Sequence, residues 1–139
     1  MIINAEGLVA GRLASKVAKM AINGEAVTII NAEKVILVGS KTAVMPKFQQ
    51  RVEAAVKSNP HYGPKYDRLP SKMLRRMIKG MLPNKSRTNE RMIKLVTVYN
   101  TVPASIDIKN SETIEEIKCN ERNEYMYLGD VAKALGGKW

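Results

Sequence analysis

A chain of 139 residues, 45% apolar and 26% charged, is long enough to bury one core and has the balance of a soluble globular protein, so a single domain over 1–139 is expected. No apolar run approaches about 18 residues and no basic leader precedes an apolar stretch, so neither a membrane span nor a secretory leader is expected. One cysteine, Cys119, and one histidine, His61, exclude an internal disulfide and a multi-cysteine or paired-histidine metal site; the expectation is a cytosolic protein with no structural metal and no cofactor. The net charge of +10 is concentrated. Residues 41–94 carry fourteen basic and three acidic side chains, against four and three in 1–40 and five and seven in 95–139. The middle segment holds the whole excess, the footprint of a polyanion partner; the plainer alternative is a merely basic surface.

In chain order, Ile2-Ile3 predicts a short strand and residues 8–23 a helix. There Val9, Leu13, Val17 and Met20 share one face, with Ala10, Ala14, Ala18 and Ala21 beside it, so the helix should lie flat on a sheet. Arg12, Lys16 and Lys19 form a cationic edge, and Gly24 stands as the C-terminal cap. The β-branched run 27–30 predicts a strand parallel to the first, with a right-handed crossover. Residues 31–34 break the run, and 35–38 predict another strand closed by Gly39; both runs look buried on two faces.

A second helix is predicted over 41–57, with Val44, Phe48, Val52 and Val56 on its apolar face and Lys47 and Arg51 projecting from another. Residues 58–68, with two prolines and Gly63, are a loop in which cations and the tyrosines Tyr62 and Tyr66 could grip an RNA backbone or stack on exposed bases; alternatively the tyrosines only pin the loop. Residues 84–89 read as a polar basic turn, 89–94 as a short helix, and 95–99 as a fourth strand ended by Pro103. Over 111–117 a capped acidic helix turn is expected. Tyr125, Met126, Tyr127 and Leu128 precede a last short helix over 130–135, closed by Gly136 and Gly137. The tail from about 100 to 139 is the least patterned part.

The segment 70–83 organises the chain. As a helix at about 100° per residue it sorts Met73, Leu74, Met77, Ile78 and Met81 onto one stripe and Lys72, Arg75, Arg76 and Lys79 onto another. Pro70 suits a first turn, and Gly80 with Pro83 supplies a stop. Like charges three and four apart cost a few tenths of a kcal/mol per pair, and no acid lies inside the segment, so a group outside the chain is expected to neutralise them.

Catalytic patterns are absent. Gly39-Ser40-Lys41-Thr42 echoes a phosphate-binding loop, but a serine separates glycine from lysine and Lys34 stands where the first glycine is needed. Gly7 and Gly11 flank a strand-to-helix turn without the dinucleotide fingerprint, though a helix N-terminus there could hold one phosphate. Glu115 and Glu116 diverge by about 100° if helical and cannot act on one bond. His61 has only Asp67 as a nearby carboxylate, and Cys119 lacks an activating neighbour.

Four motifs in order then carry a resemblance: Gly11-Arg12-Leu13-Ala14-Ser15, Asn31-Ala32-Glu33-Lys34, Gly39-Ser40-Lys41, and Gly80-Met81-Leu82-Pro83 before a basic turn. The chain resembles the L-thirteen family of large-subunit ribosomal proteins over nearly all its length. Asn59-Pro60, Gly63-Pro64 and Arg68 look like the archaeal and eukaryotic branch, and the lack of a long basic C-terminal extension favours the archaeal form. The resemblance implies a three-layer α/β/α fold with a four-stranded, mainly parallel sheet. It also implies a non-enzymatic role: binding large-subunit ribosomal RNA beside neighbouring ribosomal proteins and supporting assembly, with no small-molecule substrate. Two positions depart from the family: Asn100, usually glycine, and Thr88 after Arg87, where Arg-Gly is common.

From the residues alone, a compact core carrying so basic a segment should bind phosphates with little base readout. The expected phosphate contacts are Arg12, Lys16, Lys41, Lys47, Arg51, Lys65, Arg68, Lys72, Arg75, Arg76, Lys79, Lys85 and Arg87; Tyr62 and Tyr66 are expected to stack or to anchor the loop. Two other classes compete. A nucleotide-dependent enzyme would need the Gly7–Gly11 turn to hold a phosphate. A membrane-surface helix would need tryptophan or phenylalanine on the 73–81 stripe, which has neither; the sole tryptophan is Trp139.

Overall fold

The structure is a computed structural model that describes residues 1–54, 56–59, 61–83, 86–104, 106, 111–119 and 124–139. Strands β1 (Ile2–Asn4), β2 (Val27–Ile30), β3 (Ile36–Val38), β4 (Val96–Val98) and β5 (Tyr125–Tyr127) are interleaved with helices α1 (Ala10–Ile22), α2 (Lys41–Glu53), α3 (Pro70–Met81), α4 (Ser86–Lys94) and α5 (Leu128–Ala134).

The sheet is parallel in the order β1-β2-β4, with Ile3 opposite Ile29 and Thr28 opposite Thr97. Parallel neighbours need a crossover, and α1 supplies the first. It buries Ala10, Leu13, Ala14, Val17, Ala18 and Ala21, the predicted face, with its four alanines permitting close approach. It ends as expected at Gly24, whose φ of +88° lies in the left-handed region and whose N–H donates to the Ala21 carbonyl.

The expected fourth strand, 95–99, joins this sheet as β4, but the run at 35–38 does not, so the parallel sheet has three strands among the described residues rather than four. β3 pairs antiparallel with β5, Leu37 opposite Met126, and its Ile36 N–H donates to the carbonyl of Leu8, in the segment between β1 and α1. It is therefore not buried on two faces: Ile36 is in the core, but Val38 is 48% exposed. The outer edge of β1 is completed instead by the tail, where Asn4 N–H donates to the Glu112 carbonyl and Glu112 N–H to the Ile2 carbonyl. An open strand edge needs partners, and this requirement overrides the acidic helix turn expected over 111–117, of which only a 3-10 turn at Glu115–Ile117 remains.

Other boundaries moved for local reasons. α2 stops at Glu53 because only Val44 and Phe48 of its stripe are buried; Val52 is half-buried and Val56, beyond the end, is exposed. α4 starts at Ser86 rather than 89, taking in part of the expected turn. α5 starts at Leu128, directly after a strand that the tyrosine run did not announce.

One cluster of buried side chains joins Ile3, Leu13, Val17, Ile29, Leu74, Ile78, Leu128 and Val131, with α1 packed chiefly on α3. Met73, Leu74 and Ile78 are wholly buried. At about 1.5–3 kcal/mol per fully buried side chain, these three dock α3 by several kcal/mol before chain entropy.

Candidate nucleic-acid interface

Helix α3 presents its two predicted faces. Leu69 enters in extended conformation, Pro70 occupies the first turn, and Met73 N–H donates to the Leu69 carbonyl. The Asn100 carboxamide oxygen accepts the Ser71 N–H at 2.8 Å, a cap supplied from the far end of β4. The apolar stripe is graded: Met77 is half-buried and Met81, one turn on, is 44% exposed. Gly80 does not stop the helix, which leaves at Leu82 in extended conformation.

Lys72, Arg75, Arg76 and Lys79 are all exposed. Asp67 partly answers them, its carboxylate 3.5 Å from the Lys72 ammonium. The arginines are held by carbonyls instead: Arg75 donates to Ile93 at 3.2 Å and Arg76 to Lys65 at 3.2 Å. Among the described residues neither arginine, nor Lys79, has a carboxylate partner. Carbonyl bonds aim the guanidinium groups without cancelling their charge. A cleft of about 880 Å³ between α3 and α4 gathers Lys72, Arg75, Arg76 and Lys79 with Asn89 at its wall. Asn89, buried, donates from its amide to the Lys79 and Pro83 carbonyls and so ties α4 to the end of α3.

Arg51 joins this face through aromatic rings. Its guanidinium lies 5.6 Å from the Phe48 centroid and 5.9 Å from that of Tyr66, while Arg76 covers Tyr66 at 4.7 Å. Phe48 meets Tyr66 edge to face at 6.3 Å. Tyr66 is thus a platform between two arginines, whereas Tyr62 is 71% exposed. Lys41, Lys47 and Lys65 are exposed on α2 and the following loop. Arg68 is exposed but sits against the C-terminal turn. A Cβ on Gly137 would lie 2.3 Å from the Arg68 carbonyl oxygen, so only glycine fits there.

The remaining expected contacts divide. Arg12 and Lys16 line a separate shallow cavity on α1, and Lys16 is ion-paired with Glu116 at 3.2 Å. Arg87 is exposed at the start of α4, and Lys85 lies outside the described residues. Arg91 and Lys94 are further exposed cations on α4 that were not singled out. Asn89, Asn100 and Asp67 fasten or balance α3, and no local pattern in the sequence assigns them that role.

Among the described residues, two groups have displaced titration, and both lie away from this face. Glu6 hydrogen-bonds Lys34 at 2.8 Å and raises its pKa, and a hydrogen bond with Tyr125 raises that of Tyr127. Among the described residues no group of three or more His, Cys, Asp or Glu could hold a metal ion, and no helix is long and apolar enough to cross a membrane.

Residues 1–105 match the ribosomal protein L13 family. The chain belongs to the ribosomal protein L13 family. Relatives span it end to end. Large ribosomal subunit protein uL13 of Methanosphaera stadtmanae is 40% identical over 139 residues, covering 99% of this chain and 98% of the relative. The proteins of that name from Methanococcus maripaludis and Methanocaldococcus jannaschii are each 38% identical, covering 100% and 99% of this chain and 99% and 98% of themselves. The L13 family is one of structural ribosomal proteins and not of enzymes.

Proposed function

We propose that the chain is a structural constituent of the large ribosomal subunit in the cytoplasm, binding large-subunit ribosomal RNA and supporting assembly of the subunit next to neighbouring ribosomal proteins. The observation that carries this reading is α3: three wholly buried side chains fix one face while four exposed cations share the other. A rigid element that holds arginines by their carbonyl bonds leaves their charge for phosphate oxygens, where the planar guanidinium can bind bidentately. Within the one domain that we assign to residues 1–139, Lys41, Lys47, Arg51, Lys65, Lys72, Arg75, Arg76, Lys79 and Arg87 form the main phosphate-binding set. Arg12, Arg68 and Lys85 are secondary, and Lys16 contributes only after parting from Glu116. With about six to ten phosphates contacted, affinity should fall about 10³- to 10⁵-fold between roughly 50 and 200 mM salt.

Sedimentation of a native extract tests the assignment. The protein should travel with the large subunit at high magnesium and through a moderate salt wash. Recovery only from the soluble fractions would contradict it.

A further inference from the structure

Two cavities flank α3, and they meet at Arg76 and Gly80. One is the cationic cleft toward α4. The other, of about 570 Å³, has a different character: Met77, Gly80 and Met81 give it an apolar floor, and Arg51, Tyr66 and Arg76 form its rim. A ligand that covers the half-buried Met77 and the exposed Met81 would remove apolar surface from water. The rim is also pre-set. Arg76 is fixed by the Lys65 carbonyl and by the Tyr66 ring, and Arg51 by the rings of Phe48 and Tyr66. The space beside Gly80 is open, since a Cβ there would meet nothing within 4 Å.

We propose that this cavity is a slot for a single unpaired RNA base, which stacks against the Arg76–Tyr66 pair over the methionine floor while its flanking phosphates lie in the cationic cleft across Gly80. The proposal rests on the RNA-binding reading above and adds what that reading lacks, a contact to a base. Chemistry favours this occupant. A base has an apolar face for Met77 and Met81 and a π-face for a guanidinium, and it arrives attached to the anions that the cleft requires. A paired base cannot enter, because its faces are covered by its neighbours in the stack. Base–aromatic and base–arginine stacking tolerates any base, so the slot selects an extruded nucleotide and not a sequence.

The test uses the full chain and two RNA hairpins that share every phosphate. One carries a single bulged adenosine and the other an abasic nucleotide at the same position. The wild-type protein should bind the bulged hairpin about tenfold more tightly, the scale of one stacked base. Gly80→Leu adds no charge, raises helix propensity and fills the slot. It should bind both hairpins equally, and the ratio for Gly80→Ala should fall between. Equal wild-type binding of the two hairpins would overturn the slot while leaving the phosphate reading intact. So would undiminished discrimination by Gly80→Leu, which would place the base contact elsewhere; equal wild-type binding is the outcome expected if an acidic protein segment is the true occupant. Binding to neither hairpin nor to large-subunit ribosomal RNA would instead remove the RNA-binding reading, and the slot with it.

Discussion

Helices α1 and α3 pack on each other, and both carry a row of cations, yet they hold those cations differently. On α1, Lys16 is answered by a carboxylate from the tail, Glu116 at 3.2 Å. On α3, Asp67 answers Lys72 more loosely, at 3.5 Å, while Arg75 and Arg76 are answered by backbone carbonyls. A carboxylate removes a positive charge from the long-range field, whereas a carbonyl only orients it. The comparison separates formal charge, which residue counting reports, from charge available to a polyanion.

The difference can be probed at the packing between the helices first. Leu74→Ala, at a wholly buried position, should cost about 2–5 kcal/mol of stability through lost burial and a residual cavity. Chemical denaturation would register this; a loss below about 1 kcal/mol would mean that α3 is not clamped to the core as its burial indicates. Asn100→Ala removes the remote cap on Ser71 and should cost about 1 kcal/mol in the same assay, without changing the helical signal by much. Glu116→Gln breaks the pair with Lys16. Because both partners are substantially exposed, stability should change by less than about 1 kcal/mol, while RNA affinity rises slightly as Lys16 is freed. An unchanged RNA affinity on this substitution would place Lys16 outside any RNA contact.

Periodicity made the helices legible. The stripes on α1 and α3 are long and regular, and the residues they named are largely those in the core. The site was legible in part for the same reason, since cations at helical spacing must share a face. What periodicity could not convey was long-range pairing. Residues 36–38 look like any buried strand, and only their partner at 125–127, almost ninety positions later in the chain, decides that they form a separate two-stranded antiparallel sheet and not another strand of the parallel one. The backbone of Glu112 similarly completes β1, a role its carboxylate obscured. Within the site, the resemblance flagged Asn100 as a departure, but its service as a cap depends on β4 ending beside α3, which no local pattern reveals. The platform at Tyr66 was named, whereas its enclosure by Arg51 and Arg76 needed the loop's path.

The most direct measurement of the central claim is the salt dependence of binding to large-subunit ribosomal RNA, wild type against Arg75→Glu with Arg76→Glu. If the α3 face holds phosphates, the double variant should bind far more weakly, with a slope of log affinity against log salt shallower by about 2 and helical circular dichroism unchanged. An unchanged affinity and slope in a folded double variant would remove α3 from the interface and contradict the account.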